Sequence, residues 1–148
     1  RLLSRRQENK VRVTMFGRFD VFVDDRVLLF QNKKSKELLA LCFDHKGGMV
    51  SMEEAIDKLW PDREYDERVK RLYRKAVSSI QEVLEEAGIR EIFAAYRGKC
   101  HVNIENVDCD YYTYLKDPEQ NRELFGGEYL FDYEWGEETL AQLSDSYY

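Results

Sequence analysis

The stretch "ERVKRLYRKAVSSI", residues 67–80, decides the fold because it combines an apolar pattern and a charge pattern on one segment. Five of the eight residues from Arg68 to Lys75 are positively charged, whereas the whole chain of 148 residues has a net charge of −6. At about 100° per residue, the apolar side chains of this segment fall on one side of a helix and the cations on the other. The pattern therefore predicts an amphipathic helix over about residues 66–87, with a cationic outer face.

Helix stability alone does not explain the placement of these charges. The pairs Lys70–Arg74 and Arg71–Lys75 are like charges at i,i+4, and each destabilises a helix by about 0.2–0.5 kcal/mol. Acidic side chains instead lie near the negative end of the helix dipole, where they are unfavourable. These acids are Glu82, Glu85 and Glu86. The order of the charges therefore favours an anionic ligand for the cationic face, which also carries Ser78.

The rest of the chain shows the same division of charge on a larger scale. Residues 1–104 contain 21 Lys and Arg against 17 Asp and Glu, a net charge of +4. Residues 105–148 contain 2 against 12, a net charge of −10, and the two parts sum to −6. This asymmetry indicates a cationic working surface followed by an acidic segment. Residues 1–10 are polar and aperiodic, and we interpret them as a linker.

Two types of regular structure are predicted before the basic helix. Residues 11–30, "VRVTMFGRFDVFVDDRVLLF", are rich in Val and Phe with partial alternation, which predicts two or three short antiparallel strands. Gly17 and the Asp24–Asp25 pair are turn signals between them. Residues 33–48, "KKSKELLALCFDHKGG", have apolar residues at helical spacing and end in two glycines, so they predict a helix and its end.

A second helix and a hairpin complete the pattern on either side of the basic helix. Ser51 and Glu54 have the S-x-x-E spacing of a capping box, and Pro61 follows the apolar pattern as a stop. After the basic helix, residues 92–104, "IFAAYRGKCHVNI", predict two strands joined by a tight turn at Arg97-Gly98.

The predicted fold is α+β: N-terminal antiparallel strands, three helices and a C-terminal hairpin over residues 11–107. Residues 108–148 then predict a short acidic helical tail with a break at Gly126-Gly127. A short capped helix, a loop and a longer basic helix follow one another as in a helix-turn-helix. A hairpin with cations at its tip, next to such a helix, is typical of a wing. The fold class is therefore a winged helix-turn-helix.

Three cationic elements are predicted to lie near one another in this arrangement. The hairpin tip carries two cations around its glycine, and the start of the first helix carries a cluster of lysines where free N–H groups also favour phosphate. Together with the basic helix, they define the candidate DNA-binding residues. These are Lys70, Arg71, Arg74, Lys75, Ser78, Arg97, Lys99, Lys33 and Lys34. A single domain of this size makes few contacts, so we expect a homodimer on repeated half-sites.

Other functional classes have little support in the sequence. There is no nucleophile elbow, phosphate loop or zinc-protease motif, so no catalytic residues and no cofactor are predicted. Cys42, Cys100 and Cys109 lack metal-ligand spacing and are interpreted as reduced thiols of a cytoplasmic protein, without a metal site. No apolar run has the length of a membrane span.

Four phrases of the sequence resemble a known family over about residues 13–116. They are "FGRFDVFVDD" (16–25), "KKSKELLALCFDHKGGMVSMEEAIDKLWPD" (33–62), "YRKAVSSIQEVL" (73–84) and "YRGKCHVNI" (96–104). They are similar to the winged helix-turn-helix domain of the OmpR/PhoB class, and most similar to its streptomyces-antibiotic-regulatory-protein (SARP) branch. Tyr73 stands where that family usually has Leu, and its hydroxyl must therefore find a hydrogen-bond partner.

The resemblance implies sequence-specific binding of double-stranded DNA by a bacterial transcription regulator, the output domain of a two-component response regulator. It implies that the third helix enters the major groove, with Lys70, Arg71, Arg74, Lys75 and Ser78 on its DNA-facing side, and that Arg97 lies on the wing. The loop "PDREYD", residues 61–66, matches a segment that touches RNA polymerase in related activators. By the same resemblance, a receiver domain precedes Arg1, and the tail of residues 108–148 resembles the start of an activation domain. That domain is either truncated or present in a reduced form, and we favour the reduced form.

One alternative function remains open at this point, a winged-helix module that binds another protein and not DNA. It is supported by the overall acidity and by seven of the aromatic residues in the tail. These are Tyr111, Tyr112, Tyr114, Tyr129, Phe131, Tyr133 and Trp135. We favour the interpretation that they form the core of a tail packed on the domain. RNA binding is disfavoured because no aromatic residues are interleaved with the basic stripe.

Overall fold

The computed structural model describes residues 9–147, so most of the predicted linker at 1–10 lies outside the described residues. Five α-helices occur within this range: α1 (Lys33–Asp44), α2 (Met52–Leu59), α3 (Glu67–Glu86), α4 (Asp110–Lys116) and α5 (Gly136–Tyr147). The strands are β1 (Val11–Thr14), β2 (Asp20–Val23), β3 (Arg26–Val27), β4 (Val50–Ser51), β5 (Phe93–Tyr96), β6 (Lys99–Val102) and β7 (Val107–Cys109). Single 3₁₀ turns lie at Arg90–Ile92 and Arg122–Leu124. The predicted α+β order of strands, three helices, hairpin and helical tail is confirmed.

The N-terminal sheet has the strand order β3-β2-β1-β7. Its first three strands form the predicted antiparallel meander, and Asp24 and Asp25 (φ 50° and 68°) make the two-residue turn between β2 and β3. Positive φ at both central residues is the conformation whose twist matches that of the flanking strands. β7 pairs with β1 in parallel, which the sequence did not predict, because parallel pairing between distant segments leaves no local signal.

The second sheet has the order β4-β6-β5 and carries the hairpin next to α3. Tyr96 pairs with Lys99 across the turn, and Arg97 and Gly98 both have positive φ (50° and 73°). The predicted tight turn at Arg97-Gly98 is therefore confirmed. Val50 pairs with Cys100, so the short strand before α2 holds the hairpin against the helices.

Each of the first three helices begins at a polar cap. The side chain of Asn32 accepts from the backbone N–H groups of Lys34 and Ser35, and that of Asp66 accepts from Val69. The Ser51 hydroxyl accepts from the N–H of Glu54 at 3.1 Å, as the capping-box spacing predicts. The return bond of a capping box is replaced by another contact, since the Glu54 carboxylate lies 2.9 Å from Nε2 of His45. The cap thus ties the start of α2 to the end of α1.

The apolar face of α3 packs against α1 and α2 as its periodicity predicts. Its buried residues are Val69, Tyr73, Ala76, Ile80 and Leu84. Tyr73 is 4% exposed and lies next to the Cys100 thiol, and burial raises the pKa of Tyr73, so its hydroxyl stays neutral. Cys100 Sγ in turn lies 3.5 Å from Sγ of Cys42. These contacts join α3, β6 and α1 in one core.

The tail packs on the winged-helix unit through hydrogen bonds to α1. Asp44 Oδ1, at the end of α1, accepts from the hydroxyls of Tyr129 (2.6 Å) and Thr139 (2.7 Å). Trp135 Nε1 donates to Glu37 at 2.8 Å. The tail aromatics Tyr111, Tyr114 and Tyr129 are buried, so the interpretation of a packed core is confirmed for these rings, but it is wrong for Phe131, which is 57% exposed. The predicted boundary between the winged-helix domain and the tail, at 107/108, falls within β7 and stays a prediction.

A second tie between the tail and the N-terminal sheet is the carboxylate of Asp110. It accepts from the backbone N–H groups of Met15 (2.8 Å), Phe16 (3.1 Å) and Tyr111 (2.7 Å). Burial raises the pKa of Asp110, and the hydrogen bonds oppose that effect. The start of α4 is thereby held at the end of β1.

We expect the substitution Asp44→Ala to lower the free energy of unfolding by about 2–3 kcal/mol, because it leaves two hydroxyl donors without their shared ionised acceptor. Urea unfolding followed by far-UV circular dichroism measures this change. The matched control is Glu119→Ala, which removes an exposed acid from the same tail and should change stability by less than about 0.5 kcal/mol. Equal effects of the two substitutions would contradict a docking role for Asp44.

Candidate nucleic-acid interface

The outer face of α3 presents the predicted cations to solvent. Arg71, Arg74, Lys75 and Ser78 are exposed, while Lys70 is half-buried at the edge of the face. The five buried residues of the helix lie on its opposite side. The division of α3 into a core face and a cationic face is therefore as the sequence predicts.

Two of the cations on this face share one carboxylate. Glu67 lies 3.6 Å from both the Lys70 ammonium and the Arg74 guanidinium, and Lys70 Nζ also lies 4.9 Å from the centre of the Tyr65 ring. Within the described part of the chain, Arg71 and Lys75 make no ion pair. Exposed pairs of this kind contribute only about 0–1 kcal/mol, so a phosphate or base edge can replace them at little cost.

The β5–β6 hairpin extends the cationic face beyond α3. A groove separates the hairpin from the helix, and the Arg97 guanidinium lies 5.1 Å from the centre of the Tyr96 ring. The Tyr96 side chain is 68% exposed, which is unusual for a large aromatic residue. The polar and charged residues lining the groove include Arg74, Ser78, Gln81, Arg97 and Lys99. Sequence reasoning missed Tyr96, although an aromatic residue beside the arginine of a hairpin turn was the available signal.

The lysines at the start of α1 divide into different roles. Lys33 is exposed, whereas Lys34 Nζ donates to the carbonyl of Leu59 at 2.5 Å and to Glu37 at 3.0 Å. Lys36 Nζ forms a salt bridge with Asp20 at 3.0 Å. The ammonium of Lys34 therefore caps the C-terminal end of α2, where a cation is favourable, and its geometry favours a structural role over DNA contact. Nothing in the local sequence predicts this, because Leu59 is distant along the chain.

The described residues 9–147 carry neither a cluster of metal-binding side chains nor a membrane-spanning helix. No group of three or more His, Cys, Asp or Glu side chains in this range is placed to hold a metal ion. His45 is engaged in the fold, with Nδ1 3.1 Å from the carbonyl of Leu41. None of the helices in the range combines the length and the apolar character needed to cross a bilayer.

Comparison with known protein families and with curated proteins finds no match. Comparison with solved structures finds EmbR of Mycobacterium tuberculosis, solved in complex with a low-affinity phosphopeptide. The two structures have a TM-score of 0.72 at 17% sequence identity, over 95% of this chain and 43% of EmbR. The likeness shows a shared fold and confirms the predicted winged helix-turn-helix fold class. This chain spans less than half of the length of EmbR.

The neighbouring lysines Lys33 and Lys34 provide a matched test of the roles described above. We expect Lys34→Ala to lower the free energy of unfolding by about 1 kcal/mol, because the carbonyl at the end of α2 loses its charged donor. Lys33→Ala should leave stability unchanged within about 0.5 kcal/mol. Urea unfolding of both variants measures the difference, and equal stabilities would contradict the capping role of Lys34.

Proposed function

We propose that this chain is a sequence-specific double-stranded DNA-binding domain of a bacterial transcription regulator. The observation that carries the proposal is the exposed cationic face of α3, with Arg97 and Lys99 of the β5–β6 hairpin across a groove from Arg74, on a chain with a net charge of −6. A solvated face with no ligand does not require such a concentration of cations. The SARP-like winged-helix fold supports the same function.

The charges along α3 favour entry of its N-terminal half into the major groove. Arg71 and Arg74 are the residues suited to bidentate contacts with guanine, and Lys70 and Lys75 to phosphates. The exposed acids Glu82, Glu85 and Glu86, in the C-terminal half, would be repelled by the phosphate backbone. Recognition helices of this class commonly contact base edges with their N-terminal residues, which agrees with this polarity.

The hairpin and the first helix contribute further contacts in this proposal. Arg97, at the tip of the hairpin, would enter the minor groove, whose negative potential attracts arginine. Lys99 would contact the adjacent phosphate backbone, as would the exposed Lys33. Ser78 would donate to a phosphate or a base from the C-terminal limit of the cationic face. These contacts position the domain, while the arginines of α3 provide most of the sequence discrimination.

The alternative function, protein binding without DNA binding, has less support. It is supported by the overall acidity and by the tail aromatics as a partner surface, but most of these rings are buried or half-buried in the fold. Phe131 is 57% exposed and remains accessible to a partner. The exposed cations of α3 and the hairpin form a larger surface, and their charge is complementary to that of DNA. We therefore prefer DNA binding.

The proposal extends to the cellular location of the domain and to its partners. We place the chain in the cytoplasm, without catalytic activity or cofactor, as the output domain of a two-component response regulator. Useful affinity from a domain of this size would come from a homodimer on repeated half-sites, as two linked sites bind far more tightly than one. The loop of residues 61–66, all of whose side chains are exposed, would then be free to contact RNA polymerase.

Selection of bound duplexes from a random DNA pool tests the proposed function directly. We expect enrichment of a repeated motif, and an affinity for that motif that falls steeply as salt rises, because bound cations release counterions from DNA. If no motif is enriched and binding is weak and abolished by salt, the result contradicts sequence-specific binding. It would then favour the alternative, a winged-helix module that binds another protein.

We expect the double substitution Arg71→Ala/Arg74→Ala to lower affinity for the selected motif by about 100-fold, because two bidentate base contacts are lost. The melting temperature should change by less than about 2 °C, since both side chains are exposed. Fluorescence anisotropy and thermal unfolding measure the two quantities.

The matched control for that variant is Arg26→Ala/Lys116→Ala. It removes two exposed cations from the N-terminal sheet and the tail, and it should lower affinity by less than about threefold. A large fall in melting temperature for the α3 variant would assign these arginines to the fold. An equal loss of affinity in both variants would assign binding to net charge alone.

The double substitution Arg63→Ala/Glu64→Ala tests the loop of residues 61–66. Both side chains are exposed and lie outside the cationic face of α3, so we expect affinity for the selected motif to change by less than about twofold. Transcription in vitro from a promoter carrying that motif should fall. Unchanged transcription would contradict a polymerase contact through these residues.

A further inference from the structure

Glu67 is the one acidic residue within residues 67–78, the segment that carries the cationic face of α3. It is the first residue of the helix, directly after the cap Asp66, and its side chain is 71% exposed. A carboxylate at the start of a helix is favourable for the helix dipole, but the neighbouring Asp66 already supplies a carboxylate and a cap there.

The position of the Glu67 carboxylate is more specific than a helix start requires. One oxygen, Oε1, lies 3.6 Å from the Arg74 guanidinium, two turns further along α3, and the other, Oε2, lies 3.6 Å from Lys70 Nζ. The side chain therefore runs along the cationic face, and the carboxylate lies among the groups that would meet DNA. An exposed pair of this kind adds little stability, so the fold alone does not account for it.

The chemistry of an ionised carboxylate restricts what it can meet on a duplex. It can only accept hydrogen bonds, so phosphate oxygens repel it. In the major groove the edge of guanine presents only acceptors, and adenine places the acceptor N7 beside its amino group. Cytosine presents an amino donor, N4, without an adjacent acceptor on the same base. Cytosine is therefore the base whose edge fits a carboxylate beside a guanine-reading arginine.

We propose that Glu67 is a specificity-determining residue of the domain: it accepts from N4 of one cytosine and weakens binding to all other duplex sequences. The proposal rests on the proposed DNA-binding function and deepens it. In the free protein the carboxylate is held by Arg74 and Lys70. On the correct sequence Lys70 moves to a phosphate, while Glu67 stays beside Arg74, so that the two side chains read a cytosine and a nearby guanine together.

The test compares motif selection and affinity for the full chain, the variant Glu67→Gln and the control Glu86→Gln. Glutamine keeps the size of the side chain and removes the charge. Glu86 is an exposed acid at the other end of the same helix, so its variant makes the same change in net charge. For Glu67→Gln we expect loss of the cytosine preference at a single motif position, with about tenfold weaker discrimination there.

We further expect Glu67→Gln to raise the affinity for a random-sequence duplex severalfold, whereas Glu86→Gln should leave the motif unchanged and raise this affinity by less than about twofold. The inference is overturned if Glu67→Gln retains the same motif at every position. It is also overturned if the two variants raise random-duplex affinity equally, since the effect is then one of net charge. Failure of the unmodified chain to select any motif would instead contradict the proposed function itself.

Discussion

The burial of one face of α3 is the constraint on which the rest of the structure depends. Val69, Ala76 and Ile80 must leave water, and the surface available to them is provided by α1 and α2. Once that face is buried, the rotation of the helix about its axis is set and the cations can only point outward. The buried Tyr73 lies next to Cys100 of β6, so this helix and the hairpin share one core.

The same packing makes the hairpin part of the cationic surface. β6 pairs with both β4 and β5, so the strand that precedes α2 also holds the hairpin beside α3. Arg97 then lies across a groove from Arg74, although the two residues belong to separate elements. A rigid scaffold thus presents cations from a helix and from a turn at one surface, which is what simultaneous contact with two grooves of a duplex requires.

The acidic tail is attached to α1 and to the N-terminal sheet by side-chain hydrogen bonds. Its hydrogen bonds go to Asp44 at the end of α1 and, through Asp110, to the end of β1. Aromatic rings fill the space between these ties, which explains why a tail with a net charge of −9 (2 Lys and Arg against 11 Asp and Glu in residues 108–148) is nevertheless rich in tyrosine. The tail is thus an integral part of the structure in residues 9–147.

The sequence by itself determined the order of the elements, the two faces of α3 and the turn at Arg97-Gly98, because periodicity, caps and turn residues act over a few residues. Tertiary structure alone decided that β7 joins β1 in parallel, that Lys34 caps α2, and that Tyr96 stays exposed beside Arg97. Lys33 and Lys34 are chemically identical neighbours with different roles. Only the folded chain separates them, because a side chain's partner depends on segments far away in sequence, whose approach leaves no local pattern.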